Sequence, residues 1–245
     1  MELRAVQACL RAGIEARATT VGPFLALLNT ESDNPFLNYA VPVDGAAPTA
    51  DDVASLIEFF TSRDRLPRLE YVRPAPAVDQ PLRDAGFDIS ATLTLMAVDE
   101  LVPAPASPGY QVRLVQSDAE LRQAIAVQNV AYGEPDTEAD PIGLVRIVKK
   151  GGCVALAVEE ATGTPVGAGV WPAPRDGLVE VFGVGVLPDH RRRGLARLVT
   201  GMLTEQALHR GLRPFLQVEK DEPGRVYERL GYHVIGEMAD ARRTA

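Results

Sequence analysis

Val186-Leu-Pro-Asp-His-Arg-Arg-Arg-Gly-Leu-Ala-Arg-Leu-Val199 is the stretch on which the reading of this chain turns. The apolar run before it, Leu178 to Leu187, predicts a strand closed by Pro188. After it, Leu195, Leu198, Val199, Met202 and Leu203 fall on one stripe of a helix ending near Gly211. A strand, a short basic turn and a helix opening at Gly194 make an anion site, because the first N–H groups of a helix have no partners within it. Glycine at 194 lets an anion approach the backbone, and the helix dipole adds about half a positive charge at that end. Arg191, Arg192, Arg193 and Arg197 surround the turn with permanent cations. A basic triplet alone is more often a solvated turn, so the weight rests on its place between strand and amphipathic helix.

Working outward, Val102 to Gly109 (Val-Pro-Ala-Pro-Ala-Ser-Pro-Gly) reads as an extended linker, since three prolines cannot continue a helix. It divides the chain into an expected domain of residues 1–101, a linker of 102–109 and a second domain of 110–245. In the second domain Tyr110 to Val115 alternates like a strand, and Asp118 opens a helical run through about Ala131. An acidic loop (Glu134, Asp136, Glu138, Asp140) and a helical stretch near Ile142 to Val148 follow. Cys153 to Val158 and Val166 to Trp171 read as a hairpin. Beyond the long helix come a strand at Phe215 to Val218, a short helix at Pro223 to Leu230 and a last strand at Tyr232 to Ile235. The expected class is α/β with a mixed sheet.

The first hundred residues carry a weaker version of that ending. Val53, Leu56, Ile57 and Phe60 share one helical face, and Thr49 with Asp52 has capping-box spacing. Arg68 to Val72 reads as a strand, followed by a helix that ends at Leu82-Arg-Asp-Ala-Gly86-Phe87. Arg213 to Val218 and then Leu230-Gly231-Tyr232 repeat this order, which predicts an internal duplication. The corresponding turn, Pro42 to Asp52, is acidic and lacks arginine, so the N-terminal copy is expected to hold no phosphate. Val78 to Leu82 also offers no tyrosine for chemistry.

With 245 residues, 46% hydrophobic and 24% charged, the chain can bury a sizeable core. A net charge of -8 argues against a general nucleic-acid binder. The first 17 residues are broken by charges, unlike a secretory signal, and no run reaches the ~18 apolar residues needed to span a bilayer. A cytoplasmic protein with no membrane partner is the expectation, with a homodimer left open. Cys9 and Cys153 and the isolated His190, His209 and His233 form no metal-ligand spacing.

Arg191-x-x-Gly194-x-Ala196 between strand and helix, Val186-x-Pro188 before it, and Tyr227 with Leu230-Gly231-Tyr232 after it resemble the signature of the GNAT superfamily of N-acetyltransferases. The resemblance covers about Gly109 to Ile235. It implies a mostly antiparallel mixed sheet flanked by helices, with two central strands splayed apart and acetyl-CoA as co-substrate. The backbone of Val184, Gly185 and Val186 would then pair with the pantetheine arm. The turn from Arg191 through Arg192, Arg193, Gly194, Leu195 and Ala196 to Arg197 would hold the pyrophosphate. By the same resemblance Tyr227 is placed as the acid for the departing thiolate and Glu180 as the amine's base, with a water chain as the alternative base. An N–H near Val186 would serve the oxyanion. Lys220 and Pro223 depart from the family, where Asn and Ala are common. The implied activity is acetyl transfer to a primary amine of a small molecule or peptide, a cationic amine if the acidic loop borders the pocket. The alternative is a protein that binds acetyl-CoA without turnover.

Overall fold

Two of the described helices open where an apolar stripe coincides with a side-chain cap. In the computed structural model, which describes residues 1–30, 37–90, 92–133, 141–219 and 224–244, α2 (Ala50–Thr61) opens on a complete capping box. Asp52 N–H donates to Thr49 Oγ1 at 3.2 Å, and Thr49 N–H donates to Asp52 Oδ2 at 2.8 Å. The hydrogen bond from the Thr49 backbone, followed by the one from its side chain, holds the Asp52 carboxyl below the usual aspartate range. Ser117 and Glu120 form the same box at the start of α4 (Asp118–Tyr132), which ends at Gly133 in the left-handed conformation. The acidic-loop residues Glu134, Asp136, Glu138 and Asp140, and also Lys220 and Pro223, lie outside the described residues.

The chain divides into two compact units: Met1–Leu95 with Val218–Asp221 and Ile235–Ala245, and Met96–Gln217 with Glu222–Val234. In the first unit β1 (Thr19–Val21), β2 (Phe24–Leu27), β3 (Tyr39–Pro42), β4 (Arg68–Arg73), β12 (His233–Arg242) and β5 (Thr92–Ala97) lie in that order. The β3–β4 pair is parallel, through Ala40 and Leu69, while β1–β2, β2–β3 and β4–β12 are antiparallel. Three helices accompany this sheet: α1 (Leu3–Ile14), α2 and α3 (Pro76–Asp84). The core gathers Phe24, Leu56, Phe60, Leu69, Tyr71 and Leu82 with Ala239 and Ala241 of β12.

The last strand corrects the sequence expectation. It was expected at Tyr232 to Ile235 as part of a domain 110–245, yet it runs to Arg242, and its C-terminal part pairs with β4, from Glu237 opposite Arg73 to Arg242 opposite Arg68. The reason is burial with charge pairing. The fully buried Arg68 side chain donates to Asp240 Oδ1 at 2.8 Å and also pairs with Glu70. Burial pushes the Glu70 carboxyl up. At Asp240 the effect of burial is outweighed by hydrogen bonds from Arg242 and Arg68, which leave its carboxyl below the usual range. The expected linker, 102–109, falls inside the second unit.

That second unit contains an antiparallel sheet in the order β10-β8-β7-β6, made of β6 (Tyr110–Leu114), β7 (Cys153–Glu159), β8 (Pro165–Trp171) and β10 (Phe182–Val186). A parallel pair, β9 (Leu178–Glu180) with β11 (Arg213–Glu219), accompanies it. Strand alternation sends Leu156, Ala168 and Val170 to one face, under Leu121, Ala124 and Val127 of α4 and Leu144 of α5 (Ile142–Lys149). On the other face Gly169 admits α6 (Leu195–His209) so closely that a Cβ would lie 2.8 Å from Val199 Cγ1. The short α7 (Arg225–Glu228) follows β11. Cys9 and Cys153 are both buried. Among the described residues no helix is long and apolar enough to cross a membrane, and no group of His, Cys, Asp or Glu could hold a metal ion.

Candidate active site

The run expected as one strand, Leu178 to Leu187, is two. Through β9 the chain pairs with β11, from Leu178 opposite Arg213 to Glu180 opposite Phe215, and Val181 N–H donates to Phe215 O at 2.8 Å. There the pairing stops. Among the described residues β10 pairs only with β8, with a bulge between Phe182 and Gly185 at which Gly183 takes φ +61°. The physical cause is the approach of α4, since a Cβ on Gly185 would lie 2.8 Å from Ala131 Cβ. Gln128 Nε2 donates to Gly183 O at 2.6 Å, and Tyr132 Oη donates to Val184 O at 3.3 Å. Because Leu187 N–H points to Val166 of β8, alternation turns the N–H and C=O of Val186 to the opposite edge.

After Pro188 one turn of 3-10 helix leads into Arg191, then Arg192 at φ +62° and Gly194 at φ +80°. Gly194 is the N-cap of α6 and no side chain caps it. Leu198 is the first helix residue whose N–H finds an acceptor, Gly194 O at 3.1 Å. Among the described residues nothing accepts from the backbone N–H groups of Arg192, Arg193, Gly194, Leu195, Ala196 or Arg197. Six consecutive open donors at the positive end of a helix form a cradle for an anion of several oxygens.

The arginines divide into two kinds. Arg191 donates through Nε to Val186 O at 3.2 Å and through a terminal nitrogen to Ala131 O at 2.9 Å, tying β10 to α4. Arg193 donates to Tyr110 Oη at 2.8 Å and to Asp189 O at 3.3 Å, with its guanidinium over the Tyr110 ring. Tyr110 in turn bonds His190 Nδ1 at 3.0 Å, and Ser107 Oγ donates to Arg193 O at 2.7 Å. These two arginines build the loop's shape, whereas Arg192 and Arg197 have no partner among the described residues and supply free charge.

Glu180 ends β9, half-buried at the point where the strands part, and its Oε1 accepts from Gln217 Nε2 of β11 at 2.7 Å. Tyr227 lies half-buried on α7, edge-on to Tyr232 with ring centroids 6.3 Å apart. Tyr232 is the structural member of that pair: it is buried, its hydroxyl bonds Thr204 Oγ1 at 2.7 Å, and burial pushes its phenol up. Gln128, Tyr132, Tyr110 and Gln217 were invisible to the sequence reading. Gln217 is brought to Glu180 by the parallel register of β9 and β11, which sets it two residues past Glu180's partner Phe215.

Residues 121–232 match the model of the acetyltransferase (GNAT) family. No curated protein matches the sequence. Among solved structures, a GCN5-related N-acetyltransferase from Kribbella flavida is similar at 27% identity and a TM-score of 0.80, covering 99% of this chain and 96% of its own. Another GCN5-related N-acetyltransferase, from Sphaerobacter thermophilus, shares 18% identity with a TM-score of 0.69, over 90% of this chain and 76% of its own. A tandem GNAT protein from the clavulanic acid biosynthesis pathway has 16% identity and a TM-score of 0.61, covering 84% and 74%. The open N–H cradle, the parted strands and these matches agree that residues 121–232 form a GNAT acetyltransferase domain.

Proposed function

We propose that the second unit transfers the acetyl group of acetyl-CoA to a primary amine of a small molecule or peptide. The observation that carries the reading is the run of six open N–H groups from Arg192 to Arg197, which matches the many acceptor oxygens of a pyrophosphate. Arg192 and Arg197 add charge there. The outward edge of β10, at Val184 and Val186 to either side of Gly185, offers backbone groups to an amide-bearing arm, and the Val186 N–H is the donor for an oxyanion.

The amine must lose a proton before it attacks, because an alkyl ammonium with a pKa near ~10 has no lone pair at neutral pH. Glu180 receives that proton directly or through water, held in orientation by Gln217. Attack forms the C–N bond and an oxyanion; as this collapses the C–S bond breaks, the Tyr227 hydroxyl gives its proton to the sulfur, and the surplus proton on the nitrogen returns to the tyrosinate. The first unit is a degenerate copy of the same fold without an acetyl-CoA site. The divergence of β3 and β4 after one bridge supports this, as does the likeness to a tandem GNAT protein.

The test is a panel of primary amines with acetyl-CoA, read as release of free thiol, alongside calorimetric titration of acetyl-CoA. Amine-dependent thiol release and one acetyl-CoA per chain are expected. Binding without turnover on any amine would make the protein a sensor of acetyl-CoA, and no binding would overturn the reading.

A further inference from the structure

The first unit contains a cavity of about 440 Å³, a size typical of small-molecule sites. It opens where β3 stops and β4 runs on. Continuing the bridge of Ala40 with Leu69 brings Pro42 level with Tyr71 and Val43 level with Val72, and all four line the cavity. In place of a continued strand, the side chain of Gln7 from α1 accepts from Val72 N–H through Oε1 at 2.6 Å.

This bond fixes which way the Gln7 amide points, since a flipped amide would set N–H against N–H. Nε2 is then a buried donor with no acceptor. That donor is shut off from solvent and marks the break in strand pairing, so recognition of a ligand falls to the groups exposed on the cavity wall.

The charge of the lining agrees. Arg4, Arg11 and Arg73 face one acid, Asp44. Arg11 reaches Asp44 at 3.4 Å, but that carboxylate is 91% exposed, so the pair is weak. Arg73 gives one nitrogen to Asp79 at 2.6 Å, and Arg4 has no partner among the described residues. The rest of the wall is mainly apolar. In a chain of net charge -8 this is a local excess of cation, acting within the ~8 Å over which charge is felt at physiological salt.

We propose that this cavity binds a small amphipathic anion, a carboxylate or phosphate monoester carrying a short apolar chain, through the guanidinium groups of Arg4 and Arg11. The site uses cations from α1, where the sequence of the Pro42 to Asp52 turn offers none.

Calorimetry on the full chain with hexanoate, hexyl phosphate and 1-hexanol tests it. At least one anion should bind, the tighter naming the head group, and hexanol should bind at least tenfold more weakly. Arg4→Gln with Arg11→Gln should weaken the anion tenfold or more while acetyl-CoA affinity is unchanged. Ala46→Leu, which fills the cavity without altering charge, should also block the anion. Failure of both anions to bind, equal binding of hexanol, indifference to these substitutions, or displacement by excess acetyl-CoA would each overturn the proposal.

Discussion

Two parallel strand pairs come apart in this chain, and the helix after each parting begins in opposite ways. In the second unit β9 and β11 separate after Val181, and the turn beyond β10 delivers an uncapped helix with open N–H groups from Arg192 to Arg197. In the first unit β3 and β4 separate after a single bridge, and the turn beyond β3 delivers a helix whose N-terminus is occupied by its own Thr49 and Asp52. The carboxylate of Asp52 stands where an anionic ligand would bind in the other arrangement. Similar local topology therefore opens or closes an anion site according to one side chain at the helix start.

The largest effect should come from closing the open end. Gly194→Asp places a carboxylate at the cradle and a side chain at a φ of +80°, where L-residues are strained. Acetyl-CoA affinity should fall by about a hundredfold or more in calorimetry, and unchanged affinity would remove the cradle from the account.

Next in size is the proton transfer proposed for the second unit. Tyr227→Phe should lower turnover by about ten- to a thousandfold while acetyl-CoA affinity stays nearly constant, as for a group acting in the transition state. Thiol release at the parental rate would make Tyr227 a packing partner of Tyr232 and assign the proton to water.

The smallest effect should come from opening the closed end. Thr49→Ala removes a cap and should lower the melting temperature by about 2–4 °C, with acetyl-CoA stoichiometry still one per chain. A second equivalent of acetyl-CoA would mean that the cap alone separates the two units. The pH dependence has a definite sign. The Asp52 carboxyl sits below its ordinary value in the folded chain, so its contribution is complete above the unfolded value of ~3.9 and fades as pH falls through the folded value. The stability gap between the parent and Asp52→Asn should therefore narrow below about pH 4. A gap that widens on acidification would contradict the hydrogen bonds drawn from Thr49.

Sequence alone determined the features that depend on neighbours along the chain. The Thr49 and Asp52 capping box, the apolar stripe of α6, the β7–β8 hairpin and the basic turn at Gly194 are set by spacings of a few residues, and each stands where the spacing puts it. Tertiary structure decided what depends on distant partners. Arg191 and Arg193 look alike beside Arg192 in the sequence, yet carbonyls of Val186 and Ala131 and the ring of Tyr110 take the outer two for the loop. Gln217 reaches Glu180 only because β11 runs parallel to β9. The last strand went to the first unit because Arg68, buried there, needs the charge of Asp240, a pairing across 172 residues that no local pattern records.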